Sequence, residues 1–403
     1  MTTFRITDIP DTRAKAELFL GGAARVLSHS GMHPTEALLI ERLAHLPEAP
    51  TSLLVAGNRT GVAAMIAASL YPGCSITCHA FDLHHARSLC RNLAANGLRP
   101  DFSHDSFVSA PPDIRMPASD IKPPSAVMRV ACTSALPPGP YAAILFMATP
   151  GTMTGELILD QLEDIHRNLA PGGFCLLACE AESAPLLKQV NALFGNVSVT
   201  LDRKGLLCAS AVKREPLARA RDFSASFAAS LPGGAPLTLR SLPGVFCHRR
   251  PDAGGLALAE VAARDLRDGQ RVLDFGCGCG LVGLLLARHR SGVRVSFLDS
   301  HARALAATRL NLESLGIEGC ELLLSDAGTS RTGFDLFVGN PPYYSDFRIA
   351  ERFAEAAREA LCPGGACLLV AKSAARLREL ACARFGNAEV VSRRGYGVVR
   401  SLR

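Results

Sequence analysis

Short apolar runs alternate with longer segments of helical period along most of the chain. The runs at 52–57, 75–81, 141–147 and 174–179 read as buried strands, with helices predicted at 62–70, from 83 to Asn96-Gly97, and at 157–169. Near the start, 14–20 and 35–46 read as helices, the second capped by Thr35 after Pro34. Two runs, 197–201 and 206–212, flank Arg203-Lys204-Gly205 and predict a hairpin. The stretch 99–140 carries Pro111-Pro112, Pro123-Pro124 and Pro137-Pro138, which reads as an irregular insertion. Residues 214–235 read as linker with room for a short helix, ending in Pro232-Gly233-Gly234.

After the linker the order starts again. Strands are predicted at 272–276, 293–298, 321–324, 334–338 and 366–371, and helices at 281–288, 300–315 and 349–361. A final hairpin, 389–392 with 397–402, closes around Arg393-Arg394-Gly395. Punctuation repeats too: Pro171-Gly172-Gly173, read as a turn before a strand, matches Pro363-Gly364-Gly365, read the same way, and Phe194-Gly195-Asn196 matches Phe385-Gly386-Asn387. Gly57, Gly61 and Asp82 pair with Gly276, Gly280 and Asp299. The pattern predicts an α/β chain of two tandem doubly wound, Rossmann-like domains. Each is a mainly parallel sheet with a terminal antiparallel hairpin. The expected divisions are 1–215, a linker at 216–235, and 236–403.

The copies differ in their polar residues. Val55 stands where the second copy has Asp274, and Arg59 where it has Gly278. Matching Pro150 to Pro342 puts Ala148 opposite Asn340. The first copy keeps the fold signals and lacks the groups that do chemistry, so it is expected to be a non-catalytic scaffold.

Composition sharpens this only in places. The chain is 403 residues, 48% hydrophobic and 20% charged, as a globular protein would be. The start, Met1-Thr2-Thr3-Phe4-Arg5, carries no secretory pattern and no long uncharged apolar stretch follows, so a cytoplasmic protein without a membrane span is expected. The 14 cysteines are scattered without a Cys-x-x-Cys pair, which predicts reduced, buried thiols and no metal site. His84-His85 and His29/His33 lack metal partners, and no Ser-His-Asp hydrolase signature is present. Charge is uneven: residues 1–215 carry a net −1 and 216–403 a net +7, compatible with a polyanionic partner for the second half.

The chemistry concentrates in that half. Val338-Gly339-Asn340-Pro341-Pro342-Tyr343-Tyr344 ends a buried strand abruptly, because consecutive prolines cannot donate to a sheet ladder. The turn offers an amide, carbonyls and aromatic rings, a set that can accept both hydrogens of a planar –NH2 group and stack on its plane. Upstream, Asp274-Phe275-Gly276-Cys277-Gly278-Cys279-Gly280 joins a strand to a helix, and its glycines let a ligand approach backbone at a helix N-terminus. Asp299 closes the next strand, where a carboxylate can hold ribose hydroxyls, and Asp326 follows the third strand, where it could face a base edge. Gly278-x-Gly280-x-x-Gly283 also fits a dinucleotide fingerprint. Asp274 would repel a pyrophosphate, however, and that reading leaves the Asn340 turn unexplained.

The glycine loop, Asp299 and Asn340-Pro341-Pro342-Tyr343 resemble class I S-adenosylmethionine-dependent methyltransferases acting on planar amino groups. Leu242-Pro243-Gly244-Val245-Phe246, then Asp252 and Gly254, and the doubled architecture resemble the ribosomal RNA small subunit methyltransferase C family, closely over 237–403 and mainly in architecture over 1–215. The resemblance implies S-adenosyl-L-methionine as cofactor and the N2 amine of a guanine in 16S rRNA as acceptor. It implies cofactor contacts from Asp274, Gly276, Cys277, Gly278, Gly280, Asp299, Asp326 and Asn340. Asn340, Pro341, Pro342 and Tyr343 would form the catalytic turn, with Tyr343, Tyr344, Arg348 and Arg394 on the substrate. Arg352 and Arg393 could also meet phosphates, and the first domain would serve as scaffold or RNA-docking unit of an expected monomer. The family turn carries Phe then His after the prolines, whereas this chain has Tyr343-Tyr344. The same turn suits a protein glutamine or DNA adenine N-methyltransferase. A non-catalytic RNA-binding or assembly protein is the alternative outside enzymes.

Overall fold

In the computed structural model the described residues are 2–6, 16–20, 24–28, 34–43, 45–46, 48–57, 60–107, 126–148, 153–180, 184–203, 205–342 and 347–403. The chain divides into two compact units, Met1–Asp105 with Pro111–Phe223, and Ser106–Ala110 with Ser224–Arg403.

The first unit opens with β1 (Thr2–Ile6), β2 (Ala16–Leu20) and β3 (Ala24–Ser28), a small sheet in the order β1-β3-β2. It continues α1 (Pro34–Leu43), β4 (Ser52–Ala56), α2 (Val62–Leu70), β5 (Ser75–Ala80), α3 (Leu83–Ala95), β6 (Asp101–His104) and β7 (Val127–Cys132). Then come β8 (Tyr141–Met147), α4 (Gly155–Asn168), β9 (Leu169–Glu180), α5 (Ala184–Phe194), β10 (Ser198–Arg203) and β11 (Leu206–Val212). Its main sheet runs β10-β11-β9-β8-β4-β5-β7-β6, parallel except at the terminal hairpin.

The second unit opens with the antiparallel pair β12 (Ala225–Ala229) and β13 (Leu237–Ser241), then α6 (Ala253–Asp265), β14 (Arg271–Phe275), α7 (Leu281–His289) and β15 (Arg294–Asp299). It continues α8 (Ala302–Leu315), β16 (Glu321–Leu324), β17 (Phe334–Gly339), α9 (Arg348–Ala360), β18 (Leu361–Ala371), α10 (Ala375–Phe385), β19 (Glu389–Arg393) and β20 (Tyr396–Leu402). Its sheet runs β16-β15-β14-β17-β18-β20-β19, again with an antiparallel hairpin at one edge. Both units are thus the doubly wound sheets expected. In the second, the strand order reverses between β14 and β17, the place where such sheets bind ligands at their carboxyl ends.

The repeated landmarks hold these sheets together. Asn196 donates to Phe194 O and Val212 O and accepts from Val212 N, and Asn387 does the same with Phe385 O, Leu402 O and Leu402 N. Each Asn ties the end of a helix to the last strand. The two Pro-Gly-Gly segments are not turns before a strand. They lie inside β9 and β18, where the register shifts. The second glycine is required: a Cβ on Gly173 would sit 2.9 Å from Tyr141 O, and one on Gly365 2.9 Å from Phe334 O.

Other expectations are corrected. Of the helix expected at 14–20, the described residues Ala16–Leu20 are strand β2, antiparallel to β3; seven residues are too short to stand as a helix without burying a face. Thr35 does not cap a helix; α1 begins at Pro34, whose fixed φ and missing N–H suit a first turn. The 99–140 stretch is irregular only in part, since its ends supply β6 and β7, while 108–125 lies outside the described residues. The expected linker at 216–235 contains β12, which gains its hydrogen bonds from β13. Helices α5, α6 and α10 and the pair β1/β3 escaped the sequence reading, as did β13.

Strand register also changes two residue matches. Phe275 pairs with Gly339, and Ala56 with Phe146, so Met147, not Ala148, corresponds to Asn340. Arg271 pairs with Arg294 and Ser52 with Ser75, so Ala80, not Asp82, corresponds to Asp299. Asp82 is an N-cap, accepting from His84 N and His85 N. The first copy therefore lacks the acid at the end of its second strand as well as the amide.

Candidate active site

The site forms where β14 and β17 part. Phe353 on α9 packs beneath both strand ends, its ring 4.6 Å from that of Phe275. A Cβ on Gly276 would lie 3.1 Å from the Phe353 ring, and one on Gly339 2.7 Å from it. One buried aromatic thus requires glycine on both sides of the crevice. Its burial contributes about 1.5–3 kcal/mol and fixes the crevice floor.

The loop after β14 is wound by three left-handed glycines, Gly276 (φ +73), Gly278 (φ +58) and Gly280 (φ +84). Gly276 N and Cys277 N donate to Leu298 O at 2.8 and 3.0 Å, so the loop leaves the sheet only after Cys277. A Cβ on Gly278 would meet nothing within 4 Å: this is the open rim of the loop. Thr308, fully buried on α8, donates Oγ1 to Gly278 O at 3.0 Å from below. Asn311, one turn on, donates to Cys279 O (2.9 Å) and Arg240 O (2.8 Å) and accepts from Arg240 N (2.7 Å). Sequence reading missed both residues. A signal for Asn311 was present, because Asn92 on α3 donates to Thr60 O at the corresponding place in the first unit.

The acids take different posts. Asp299 Oδ2 accepts from Gly278 N (3.0 Å) and Oδ1 from His301 N (2.9 Å). Both bonds hold the carboxylate at the end of β15, beside the glycine loop. Asp326 lies two residues beyond β16, beside Ser325, whose N–H donates to Asp299 O at 3.0 Å. Asp274 is only 2% exposed and accepts from Gly283 N at 2.9 Å. Its first role is to pin strand end to helix, beneath the rim at which a cofactor contact was expected. Burial, with a smaller push from Asp299, raises its pKa to about 7, and the Gly283 bond opposes this. Cys277 is buried against Thr308, and burial and both acids hold its thiol far above the ordinary range, which suits packing and excludes a ready thiolate.

Across the crevice, Asn340 follows β17 directly and is half-buried. Its Nδ2 donates to Asp252 Oδ2 at 2.7 Å. The same oxygen accepts from Gly255 N at 2.6 Å, making Asp252 the N-cap of α6. Gly254 lies between them: a Cβ there would be 3.3 Å from Asp252 Oδ2, 3.3 Å from the Tyr396 ring and 3.5 Å from Asn340 Nδ2. Pro341 is buried and Pro342 half-buried, whereas Tyr343 and Tyr344 lie outside the described residues. Arg348 opens α9. Arg394 and Arg393, expected to face phosphates, both reach the buried carboxylate of Glu260, Arg394 at 2.7 Å. About two fifths of each side chain stays exposed, so the pairing fixes where the guanidiniums sit without hiding them.

The structure brings Asp274, Gly276, Cys277, Gly278, Gly280 and Asp299 together on one side of the switch point, with Asn340 on the other. Such an arrangement can hold a nucleoside by its ribose and present an amide acceptor opposite it. Among the described residues no cluster of three metal-ligating side chains occurs, and no helix is long and apolar enough to cross a membrane.

Residues 236–400 match the methyltransferase small domain family. The chain is 36% identical over 174 residues to "Ribosomal RNA small subunit methyltransferase C" of Pseudomonas entomophila, covering 42% of this chain and 52% of that protein. It is 42% identical over 144 residues to the protein of the same name from Chromohalobacter salexigens, covering 34% and 42%. The match thus spans about half the length of these curated relatives, or less. Among solved structures, a T. thermophilus 16S rRNA N2 methyltransferase in complex with AdoMet and guanosine superposes with TM-score 0.69 at 21% identity, covering 98% of this chain and 99% of that one. That likeness extends the shared fold over both units, and within the second unit residues 236–400 are similar to the methyltransferase small domain.

Proposed function

We propose that the chain transfers a methyl group from S-adenosyl-L-methionine to the N2 amine of a guanine in small-subunit ribosomal RNA. The carrying observation is Asn340, an amide placed across the switch point from the glycine loop with its NH2 end already held by Asp252. The relatives' printed names support the RNA substrate, as does the +7 charge of residues 216–403.

The residues present suit the cofactor. Asp299 places a carboxylate, the group that suits ribose hydroxyls, at the end of β15, the open rim at Gly278 admits a nucleoside against backbone, and Asp326 stands at the same sheet edge. When bound, the cofactor supplies an electrophilic methyl on a sulfonium. The rest is positioning. Asn340 Oδ1 and the Pro341 carbonyl accept the two amine hydrogens, which favours a pyramidal nitrogen with its lone pair directed across the crevice. That lone pair bonds the methyl carbon, the electrons of the broken carbon–sulfur bond stay on sulfur, and the nitrogen sheds one proton to water. No strong base is required, because the nitrogen becomes acidic only as it gains the methyl. The guanine must first leave its stack, and Tyr343 would then supply a ring for it. Arg348 and Arg394 would meet phosphates, and the first unit would dock RNA without catalysis.

The test incubates the full chain and tritiated S-adenosylmethionine with naked rRNA, 30S subunits, DNA and a release factor. Label in N2-methylguanine from rRNA or 30S digests is the expected result. Label confined to protein or to DNA adenine would overturn the substrate assignment.

A further inference from the structure

We infer that Asp252 is a positioning residue for Asn340: it fixes which end of the amide faces the acceptor amine. An unrestrained Asn side chain presents oxygen or NH2 with little preference. Only the oxygen can receive an amine hydrogen, so a flipped amide would repel the substrate. A carboxylate is an acceptor alone, so the amide edge facing Asp252 Oδ2 at 2.7 Å must be NH2. Oδ1 is thereby turned away from Asp252, toward the place where the substrate amine must lie.

Three features show that this is a built arrangement. Asp252 is itself immobilised, since the same Oδ2 accepts from Gly255 N at 2.6 Å at the first turn of α6. Gly254 keeps room beside the pair, because a Cβ there would press on Asp252 Oδ2 and the Tyr396 ring, each at 3.3 Å, and already touch Asn340 Nδ2. The pairing also joins residues 88 positions apart, so it is not a by-product of local turn geometry. A charge behind the amide strengthens it twice: an anionic acceptor polarises the amide toward a more negative Oδ1, and it stabilises positive charge building on the nitrogen during transfer.

This inference rests on the proposed methyl transfer, but the capping and orienting roles can be separated. Asp252→Ser keeps a good N-cap and is too short to reach Asn340. Asp252→Asn keeps an acceptor at the same reach and removes the charge. In the full chain, Asp252→Ser is expected to lower kcat on the order of 10²-fold while cofactor affinity and Tm stay near wild type. Asp252→Asn should recover most of that loss. Adding Asn340→Ala to Asp252→Ser should cost nothing beyond Asn340→Ala alone. Wild-type kcat in Asp252→Ser, or losses that multiply in the double variant, would overturn the inference. A second readout needs no turnover. With 15N-asparagine labelling, the Asn340 NH2 should exchange slowly in the wild type and in Asp252→Asn, and rapidly in Asp252→Ser. Unchanged exchange in Asp252→Ser defeats the positioning role even if the protein proves to methylate something else. Absence of any methyl transfer by the wild type defeats the functional reading alone.

Discussion

Replacing Asp274 with Asn should stabilise the protein at neutral pH and flatten its pH dependence. The carboxyl group is 2% exposed, and burial is the largest cause of its pKa rising from 3.8 to about 7. The sign follows from proton counting. Between those values the unfolded chain has released this proton and the folded chain has kept it, so folding loses stability as pH rises. The slope is about 1.36 kcal/mol per pH unit, which accumulates to on the order of 4 kcal/mol by pH 7 and then levels off. Asn keeps an oxygen for Gly283 N and cannot ionise, so it removes that term. Urea unfolding of wild type and variant at pH 5, 6, 7 and 8 reads the difference. The variant's advantage should grow through pH 7 and change little above it. A difference that stays constant over this range, or that shrinks as pH rises, would refute the argument that the buried carboxyl holds its proton.

Asn340→Ala should lower methyl transfer by about 10²–10³-fold, the range for removing one preorganised polar group, with cofactor affinity within a few-fold by titration calorimetry. Equal loss of both would make Asn340 a cofactor residue first. Asn311→Ala abandons three hydrogen bonds, one buried and two partly buried, and should cost about 2–4 kcal/mol, read by urea unfolding, and weaken cofactor binding through Cys279. Gly283→Ala would bring a Cβ to 2.4 Å from the Phe297 ring and 2.9 Å from Val295 Cγ1, with an expected cost of about 1–3 kcal/mol. Its Tm should fall while the pH dependence assigned to Asp274 remains.

The fold was largely legible because each parallel strand is a short apolar run between helical periods. The bounds 62–70 and 321–324 were read as they stand in α2 and β16. What failed was short, unsupported or non-local. A seven-residue stretch such as 14–20 has no period long enough to separate helix from strand, and β12 becomes a strand only because β13 lies beside it. The alignment of copies by proline slipped by one residue at Asn340, since the loop after the strand need not keep its length. The pairing of β14 with β17 corrects it. The site's residue types were visible at Asp274, Asp299 and Asn340. Their division of labour was not, because burial of Asp274 and the reach of Asp252 to Asn340 are facts of packing.

The first unit works as an internal control on which residues serve folding and which serve chemistry. Its loop keeps left-handed Gly57 and Gly61, and Asn92 keeps the tether that Asn311 makes in the second. It even keeps a buried acid near the start of the following helix, though a different residue supplies it. Glu36, from α1, accepts from Thr60 Oγ1 at 2.7 Å and lies 3.4 Å from Ala63 N, one residue before the position that matches Gly283, whose N–H bonds Asp274 in the second unit. An acid and an Asn tether therefore belong to the architecture of the loop, whatever it binds. Ala80 and Met147 hold the positions of Asp299 and Asn340, and the sheet forms without them in the same order, with β6 added at one edge. Neither acid nor amide is needed to end these strands. The proposed methyl transfer gives their presence in the second unit a chemical reason: a ribose for Asp299, and for Asn340 an amine that needs an acceptor at one fixed place.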